Sequence, residues 1–432
     1  SANKGTDVVH TGLVAPYIET AINPPENMPD SSPENSQEVR NLSVRLILLL
    51  GVASLCGSLV SNGARSVTGP YILLLGGSAA VVGLVAGSGE FIGYALRSVT
   101  GGYVDRDRGY WKVTMAGYGL LAAIPLLAVA GGWEAAAVLI IAERVGKAIR
   151  TPARDTILSH ATTAVGRGWG FGVHKALDQV GAVIGPLVMV AALILTGGYA
   201  TGFLLLGIPL AGVALVLFFA RSVVPKPGSL EENGGTNETA DLPGIMPYAT
   251  FIFLGMAGFA SFPLISFHLK AQSVIPDAGI PLFYAAAMAV SVVVALLIGR
   301  VFDRIGIHAL LTIPVLSTAT VLLAFSLDPG AALAGSLAWG AGIGIFETVL
   351  RASIAESTEA TRRGEVYGAM SAVFGTAWFV GSAVMGVLYD VSIGHIVAYV
   401  VIVEAAAVAA YLWMYRSRIA VRFQEGLGNL MP

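Results

Sequence analysis

The chain has 432 residues, 55% of them hydrophobic and 12% charged, with a formal net charge of −2 and a mean hydropathy of +0.75. Soluble domains carry about 25% charge, so this chain has too little to coat a globule of its size, and lipid is the solvent it implies. The near balance of charge argues against a polyanionic partner such as nucleic acid, and the single cysteine, Cys56, excludes an internal disulfide and a cysteine metal cluster.

The first forty residues hold no basic segment followed by an apolar core, and Pro24, Pro25, Pro29 and Pro33 lie among Ser, Asn and Glu. Residues 1–42 therefore read as a disordered cytoplasmic tail without a secretory signal. From Leu46 the pattern changes to apolar runs of about 20 residues, the length a helix needs to cross the hydrocarbon. The runs predict spans near 45–67, 79–100, 111–130, 134–158, 170–196 and 199–220. A second set is predicted near 246–270, 281–300, 309–326, 331–355, 366–389 and 395–415. Between the sets, Pro225 to Pro243 is polar and rich in Gly, Pro and Glu, which is linker composition. The expected architecture is all-α and integral to the membrane, with twelve transmembrane helices in two pseudo-symmetric bundles. The bundles occupy 43–222 and 245–416, joined by a cytoplasmic linker over 223–244 and followed by a tail over 417–432.

Basic residues set the orientation. With the N-terminus inside, the inner ends collect Arg40, Arg45, Arg106, Arg108, Arg221, Arg300, Arg304, Arg363 and Arg416, whereas the outer ends keep Arg65 and Lys270. Both termini are expected in the cytoplasm, and the plasma (inner) membrane is the expected location.

Two polar stretches echo each other across the halves. Gly101, Asp105, Arg106 and Gly109 in the first are matched by Gly299, Asp303, Arg304 and Gly306 in the second. Arg167-Gly168-Trp169-Gly170-Phe171-Gly172 likewise aligns with Arg363-Gly364-Glu365-Val366-Tyr367-Gly368, and Arg154 and Arg351 precede these at nearly equal distance. Repeated landmarks in one order imply parallel halves about an axis along the membrane normal. The paired turns lie between the second and third spans of each half, and they resemble the G-x-x-x-D-R-x-G signature of the major facilitator superfamily. The resemblance extends over residues 45–416; the first copy carries one extra residue before Gly109. It implies a turn that helps lock the inner gate, with Asp105 and Asp303 accepting from a neighbouring helix N-terminus. The residues alone also fit a solvated basic loop that only sets topology.

The fourth span carries Glu143, Arg144, Lys147, Arg150, Arg154 and Asp155. A charge at mid-bilayer costs about 2.5–3.5 kcal/mol even on the mild insertion scale, so Glu143 and Arg144 are expected to face a wet cavity or each other. Lys147 lies on the same stripe, while Arg150, Arg154 and Asp155 fit snorkelling at the cytosolic end. On the first span Ser54, Ser58, Ser61 and Arg65 recur at helical spacing, consistent with cavity lining or with helix packing. Arg65 reads as an outer gate or an interface anchor. On the fifth, His174, Asp178, Gly181 and Gly185 share a face with Lys175 nearby, and Pro186 follows. Gly181 to Pro186 resembles the GxxxGP core carried by the superfamily's exporters; physically, the glycines admit a close neighbour and the proline permits a bend. Glu90 on the second span is a further titratable candidate, and Glu347 and Arg351 form an i,i+4 pair on the tenth. Phe259, Phe262 and Phe267 with Pro263 fit either an apolar cavity wall or core packing. The resemblance also implies that Glu404, on a span peripheral in the superfamily, faces another helix.

No phosphate-binding loop, HExxH or nucleophile elbow is present. The chain is therefore read as a non-enzyme, without cofactor or resident metal, driven by an ion gradient. The expected activity is secondary transport of a small solute by alternating access. Proton-coupled export leads, with Glu90, Glu143 and Asp178 carrying protons. Ser58, Ser61, Arg65, Arg144, Lys147, His174, Lys175, Glu347 and Arg351 are expected to line the substrate cavity. The alternatives are divalent metal transport through Glu143, His174 and Asp178, or a membrane sensor that does not transport. A monomer in the lipid bilayer is expected, with the solute and protons as its partners.

Overall fold

In hydrocarbon each backbone N–H and C=O must find its partner within its own segment, so long apolar runs settle as helices. The computed structural model describes residues 33–107, 109–225, 246–357 and 363–428, and among them there are helices and no strand. We label them α1 (Pro33–Leu74), α2 (Ala79–Asp107), α3 (Tyr110–Val129), α4 (Trp133–Thr162), α5 (Arg167–Thr196) and α6 (Tyr199–Val223). They continue as α7 (Met246–Ala271), α8 (Gly279–Ile305), α9 (Thr312–Ala324), α10 (Pro329–Ser357), α11 (Arg363–Val391) and α12 (Ile393–Gly428). Ten stretches among the described residues are long and apolar enough to cross a membrane. The remaining two predicted spans fall on α4, which is 30 residues long but carries a dense run of charge, and on the shorter apolar helix His308–Ala324.

Hydropathy marked where lipid begins, not where helix ends. The first helix starts at Pro33, inside the stretch read as a tail, and α12 continues to Gly428 through the stretch read as the second tail. The signature stretches are likewise helical: Gly101 to Asp107 forms the end of α2, and Gly299 to Ile305 the end of α8. Gly306 then breaks the chain with φ of 59°, a left-handed value that suits glycine.

α7 is interrupted between Ala257 and Phe262. The carbonyls freed by that break are taken up by neighbours: Trp339 Nε1–H donates to Ala260 O at 2.8 Å, and Tyr399 O–H to Ala257 O at 3.2 Å. Pro263 then opens the second segment, where its missing N–H costs nothing. Phe259 and Phe262 are fully buried around this break, stacked among Trp339, Phe346 and Tyr284, so they pack the core instead of lining the cavity; Phe267 is buried beside Tyr389.

The packing repeats with a period of six helices. α1 packs on α5 and α6, α2 on α4, and α3 on α4; correspondingly α7 packs on α11 and α12, α8 on α10, and α9 on α10. The first six helices meet the last six through α2–α11, α1–α7 and α5–α8. These crossings are close where side chains vanish. A Cβ on Gly83 would lie 2.2 Å from Ser382 O, and one on Gly69 only 2.0 Å from Pro263 O. On the face expected to be outer, Asp390 accepts from the backbone N–H of Ala79 at 3.2 Å and of Ala80 at 3.0 Å, capping α2 from α11. There too, Tyr199 O–H donates to Asp277 Oδ2 at 3.0 Å, and Lys270 Nζ lies 2.6 Å from the same carboxylate.

The molecule is inverted relative to a water-soluble globule. Leu195 is 80% exposed and Val129 79%, while Glu143 and Arg150 are only 2% and 4% exposed. Apolar outside and charge inside is the arrangement lipid selects.

Candidate functional site: a charged cavity between the helix sets

A cavity of about 330 Å³ lies between the two sets of helices. Its first wall is built by helical repeats of polar residues. Ser54, Ser58, Ser61, Asn62 and Arg65 recur along one face of α1; Glu90, Gly93, Tyr94 and Arg97 along one face of α2. α4 adds Arg144, Lys147, Thr151 and Arg154, and α5 adds His174, Lys175 and Asp178. The opposing wall is largely apolar: Tyr284, Met288 and Ser291 from α8, Trp339, Ile343, Phe346 and Glu347 from α10, and Phe374 and Trp378 from α11.

Glu143 sits just behind the first wall. Ser61 Oγ donates to its Oε1 at 2.6 Å, Arg144 Nε lies 3.3 Å from Oε2, and Arg150 Nη2 lies 3.9 Å from Oε1. Glu90 receives Arg65 Nη2 at 2.8 Å and Arg144 Nη1 at 3.8 Å. Arg144 therefore bridges two carboxylates on different helices, and α1, α2 and α4 are joined through one ion network. A buried charge is tolerated in such a setting because its partners supply what water would.

A second cluster lies on the α5 side. Ser54 Oγ donates to Asp178 Oδ1 at 3.0 Å, Arg154 Nη1 donates to Ser54 Oγ at 3.1 Å, and Lys175 Nζ lies 3.6 Å from Asp178 Oδ2. Lys175 also reaches Glu347 Oε2 at 3.5 Å, an ion pair that links α5 to α10 across the cavity. His174 is buried and its Nε2 has no hydrogen-bond partner among the described residues.

Three of the sequence readings are corrected here. Arg65 is neither an interface anchor nor at an outer end: α1 runs on to Leu74, which leaves Arg65 inside the bundle, paired with Glu90 and 5.7 Å over the Trp378 ring. Arg150 and Arg154 do not snorkel to the surface; they turn inward onto Glu143, Ser54 and Asp155, with Arg150 also 4.7 Å over Tyr118. Glu143, His174 and Asp178 form no metal-ligand group, and among the described residues no three His, Cys, Asp or Glu side chains do. Glu143 and Asp178 are instead engaged by Ser, Arg and Lys.

Gly181 and Gly185 on α5 lie against α1, where added Cβ atoms would come within 2.2 Å of Leu55 O and Leu59 O respectively. Pro186 follows within the same helix. Of the gating residues, Arg304 is exposed and Gly299 has nothing within 4 Å of an added Cβ. The side chains of Asp105, Arg106, Asp303 and Arg351, and the surroundings of Gly101, lie outside the described residues.

The sequence reading passed over Arg97 and the aromatic wall. Both had a signal: Glu90 and Arg97 are seven residues apart, Phe374 and Trp378 four, and Trp339 and Phe346 seven, each a same-face spacing. Glu404, set aside as peripheral, is 2% exposed on α12 against the break of α7, where a Cβ on Gly258 would lie 2.3 Å from its Oε1.

Lipid-facing helices that enclose a charged, solute-sized cavity define a membrane transporter of the secondary type. The sequence places it more narrowly: the family model described as Major Facilitator Superfamily matches residues 54–345, and the chain belongs to that superfamily. An uncharacterized protein of Mycobacterium tuberculosis is 41% identical over 385 residues, covering 87% of this chain and 94% of that one. An uncharacterized MFS-type transporter of Methanocaldococcus jannaschii is 32% identical over 153 residues, 35% of this chain and 38% of that protein. Among solved structures, the nucleoside transporter NupG superimposes with a TM-score of 0.66 at 15% identity, covering 86% of this chain and 98% of that one. A bacterial homolog of the human lysosomal transporter Spinster, inward-facing and unoccupied, gives 0.67 at 13% identity, covering 87% and 97%. At those identities the structural likeness speaks for the fold alone.

Proposed function

We propose that this protein exports a small solute by alternating access, coupled to protons, with residues 43–222 and 245–416 rocking about the cavity. The observation that carries the reading is the buried network Arg65–Glu90–Arg144–Glu143–Ser61, which ties three helices of one half together at the cavity wall. Protonation of Glu90 would remove the charge shared by Arg65 and Arg144, and protonation of Glu143 would release Arg144 and Arg150. Either event frees cations to move and alters which face of the bundle is favoured. Asp178 would play the same part beside Lys175 and Arg154 on α5.

The contacts between halves on the expected outer face support an inward-open state, with Asp390 and Asp277 as the outer ties. The signature turns at Gly101–Gly109 and Gly299–Gly306 would then engage in the opposite state. Basic residues favour cytoplasmic termini in a plasma (inner) membrane, and a monomer contains the whole cavity. The driving force would be an ion gradient, to which the membrane potential contributes about 2.3 kcal/mol per charge per 100 mV.

Flux in proteoliposomes tests this. Naphthalenesulfonate, naphthalenemethanol and naphthylmethylammonium are loaded inside or outside, with and without an imposed pH gradient. Gradient-dependent movement of at least one probe in excess of that in protein-free liposomes supports the reading. Movement insensitive to pH removes the coupling, and no movement of any probe under either condition favours a membrane sensor.

A further inference from the structure

The cavity's charges do not balance. Among the described residues, each carboxylate at its wall is already engaged: Glu90 and Glu143 by arginines, Asp155 by Arg154, and Asp178 and Glu347 by Lys175. Two cations are left over. The Lys147 ammonium makes no ion pair or hydrogen bond among the described residues, although it lines the cavity one turn from Arg144. Among the described residues Arg97 has an unpartnered Nε, and its guanidinium lies 4.9 Å over the Tyr94 ring. Glu90 and Glu143 act on Lys147 at longer range, and Glu90 on Arg97, but among the described residues neither cation has a carboxylate in direct contact, and the surrounding apolar material focuses their field on anions.

The facing wall is of a different kind. Trp378 and Phe374 are 4% and 3% exposed with ring centroids 5.5 Å apart, and Tyr94 meets Phe374 at 4.9 Å, so the part of this aromatic cluster that lines the cavity runs between the two cationic helices and α11. Trp378 Nε1–H is buried at the cavity and has no acceptor among the described residues. An aromatic face with an idle N–H donor suits a flat ligand that carries oxygen acceptors.

We infer that the solute is a small organic anion with a flat apolar body, its carboxylate or sulfonate held by Lys147 and Arg97 and its body laid on Phe374 and Trp378. This rests on the transport reading above and names its substrate class. The cavity of about 330 Å³ is at the small end for ligand pockets, which limits the body to a few rings. The paired carboxylates would couple protons, while the unpaired cations take the cargo; the two roles fall on different side chains of the same wall.

Calorimetric titration of the purified full chain tests the assignment without requiring flux. Naphthalenesulfonate is expected to bind at least about tenfold more tightly than naphthalenemethanol or naphthylmethylammonium, and Lys147→Gln to weaken the sulfonate alone by about tenfold. Arg97→Gln gives an independent reading should Lys147→Gln fail to fold. Equal or tighter binding of the neutral or cationic probe, or sulfonate binding unchanged in both variants, would overturn the inference. Displacement of the sulfonate by phosphatidylglycerol but not by benzenesulfonate would assign the site to a lipid headgroup and overturn it as a solute site. If naphthylmethylammonium is transported and the sulfonate does not bind, the anion class fails while transport stands. If the sulfonate binds and nothing is transported, the failure lies with the transport reading.

Discussion

Ser61 on α1 donates a 2.6 Å hydrogen bond to Glu143 on α4, and both residues are buried. The bond crosses between helices at the cavity wall. Ser61→Ala leaves that carboxylate oxygen to the more distant arginine, and a charged-group hydrogen bond is worth about 1.5–3 kcal/mol. We expect Ser61→Ala to unfold several degrees below wild type in a detergent thermal melt. An unchanged midpoint would mean the bond contributes nothing to holding α1 on α4.

The α1–α5 seam is set by absent side chains. An added Cβ at Gly181 would meet Leu55 O at 2.2 Å, a backbone atom that cannot swing aside. Gly181→Ala should therefore separate the helices and cost about 1–3 kcal/mol as overpacking. Gly93→Ala is the matched control, since nothing lies within 4 Å of its Cβ. Thermal melts of the two variants should diverge; equal midpoints would contradict close packing at Gly181.

Two tryptophans near the cavity should separate in their effects. Trp339 Nε1–H satisfies the Ala260 carbonyl freed by the break in α7, so Trp339→Phe strands a buried acceptor at about 1–3 kcal/mol. Trp378 Nε1–H has no acceptor among the described residues, so Trp378→Phe strands no partner; it should lower the midpoint less than Trp339→Phe, through lost packing alone, and weaken naphthalenesulfonate binding. The reverse order of stability would contradict both assignments.

Asp390 caps α2 from α11 and so helps close the expected outer face. A carboxylate at a helix N-terminus is worth about 0.3–1 kcal/mol, enough to shift a near-balanced equilibrium between states. With Cys56→Ser as background, spin labels at the exposed positions Leu74 and Gly394 should report a larger long-distance population in Asp390→Ala. An identical distance distribution would show that the cap does not bias closure.

Much of this was legible in the residues, for reasons that can be named. Lipid demands long apolar runs, so the helices were readable; it also penalises charge, so Glu143 and Arg144 declared themselves as inward-facing. Helix ends were not readable, because polar residues such as those from Gly101 to Asp107 continue a helix past the hydrocarbon without an apolar signature. Arg65 was misplaced for that reason: its depth depends on where α1 stops. The aromatic wall was hidden because Trp378 and Phe374 look like any apolar stripe, and only the partner helices decide whether such a stripe meets protein or a cavity. Phe259 and Phe262 show the converse case, since the break in α7 turns them into the core.

Gradient-driven accumulation of naphthalenesulfonate, measured side by side for wild type and Glu143→Gln in proteoliposomes, bears most directly on the ion network as the coupling element. The account predicts accumulation against a gradient by wild type, and only equilibration by a folded Glu143→Gln. Accumulation by Glu143→Gln at the wild-type rate and level would contradict it.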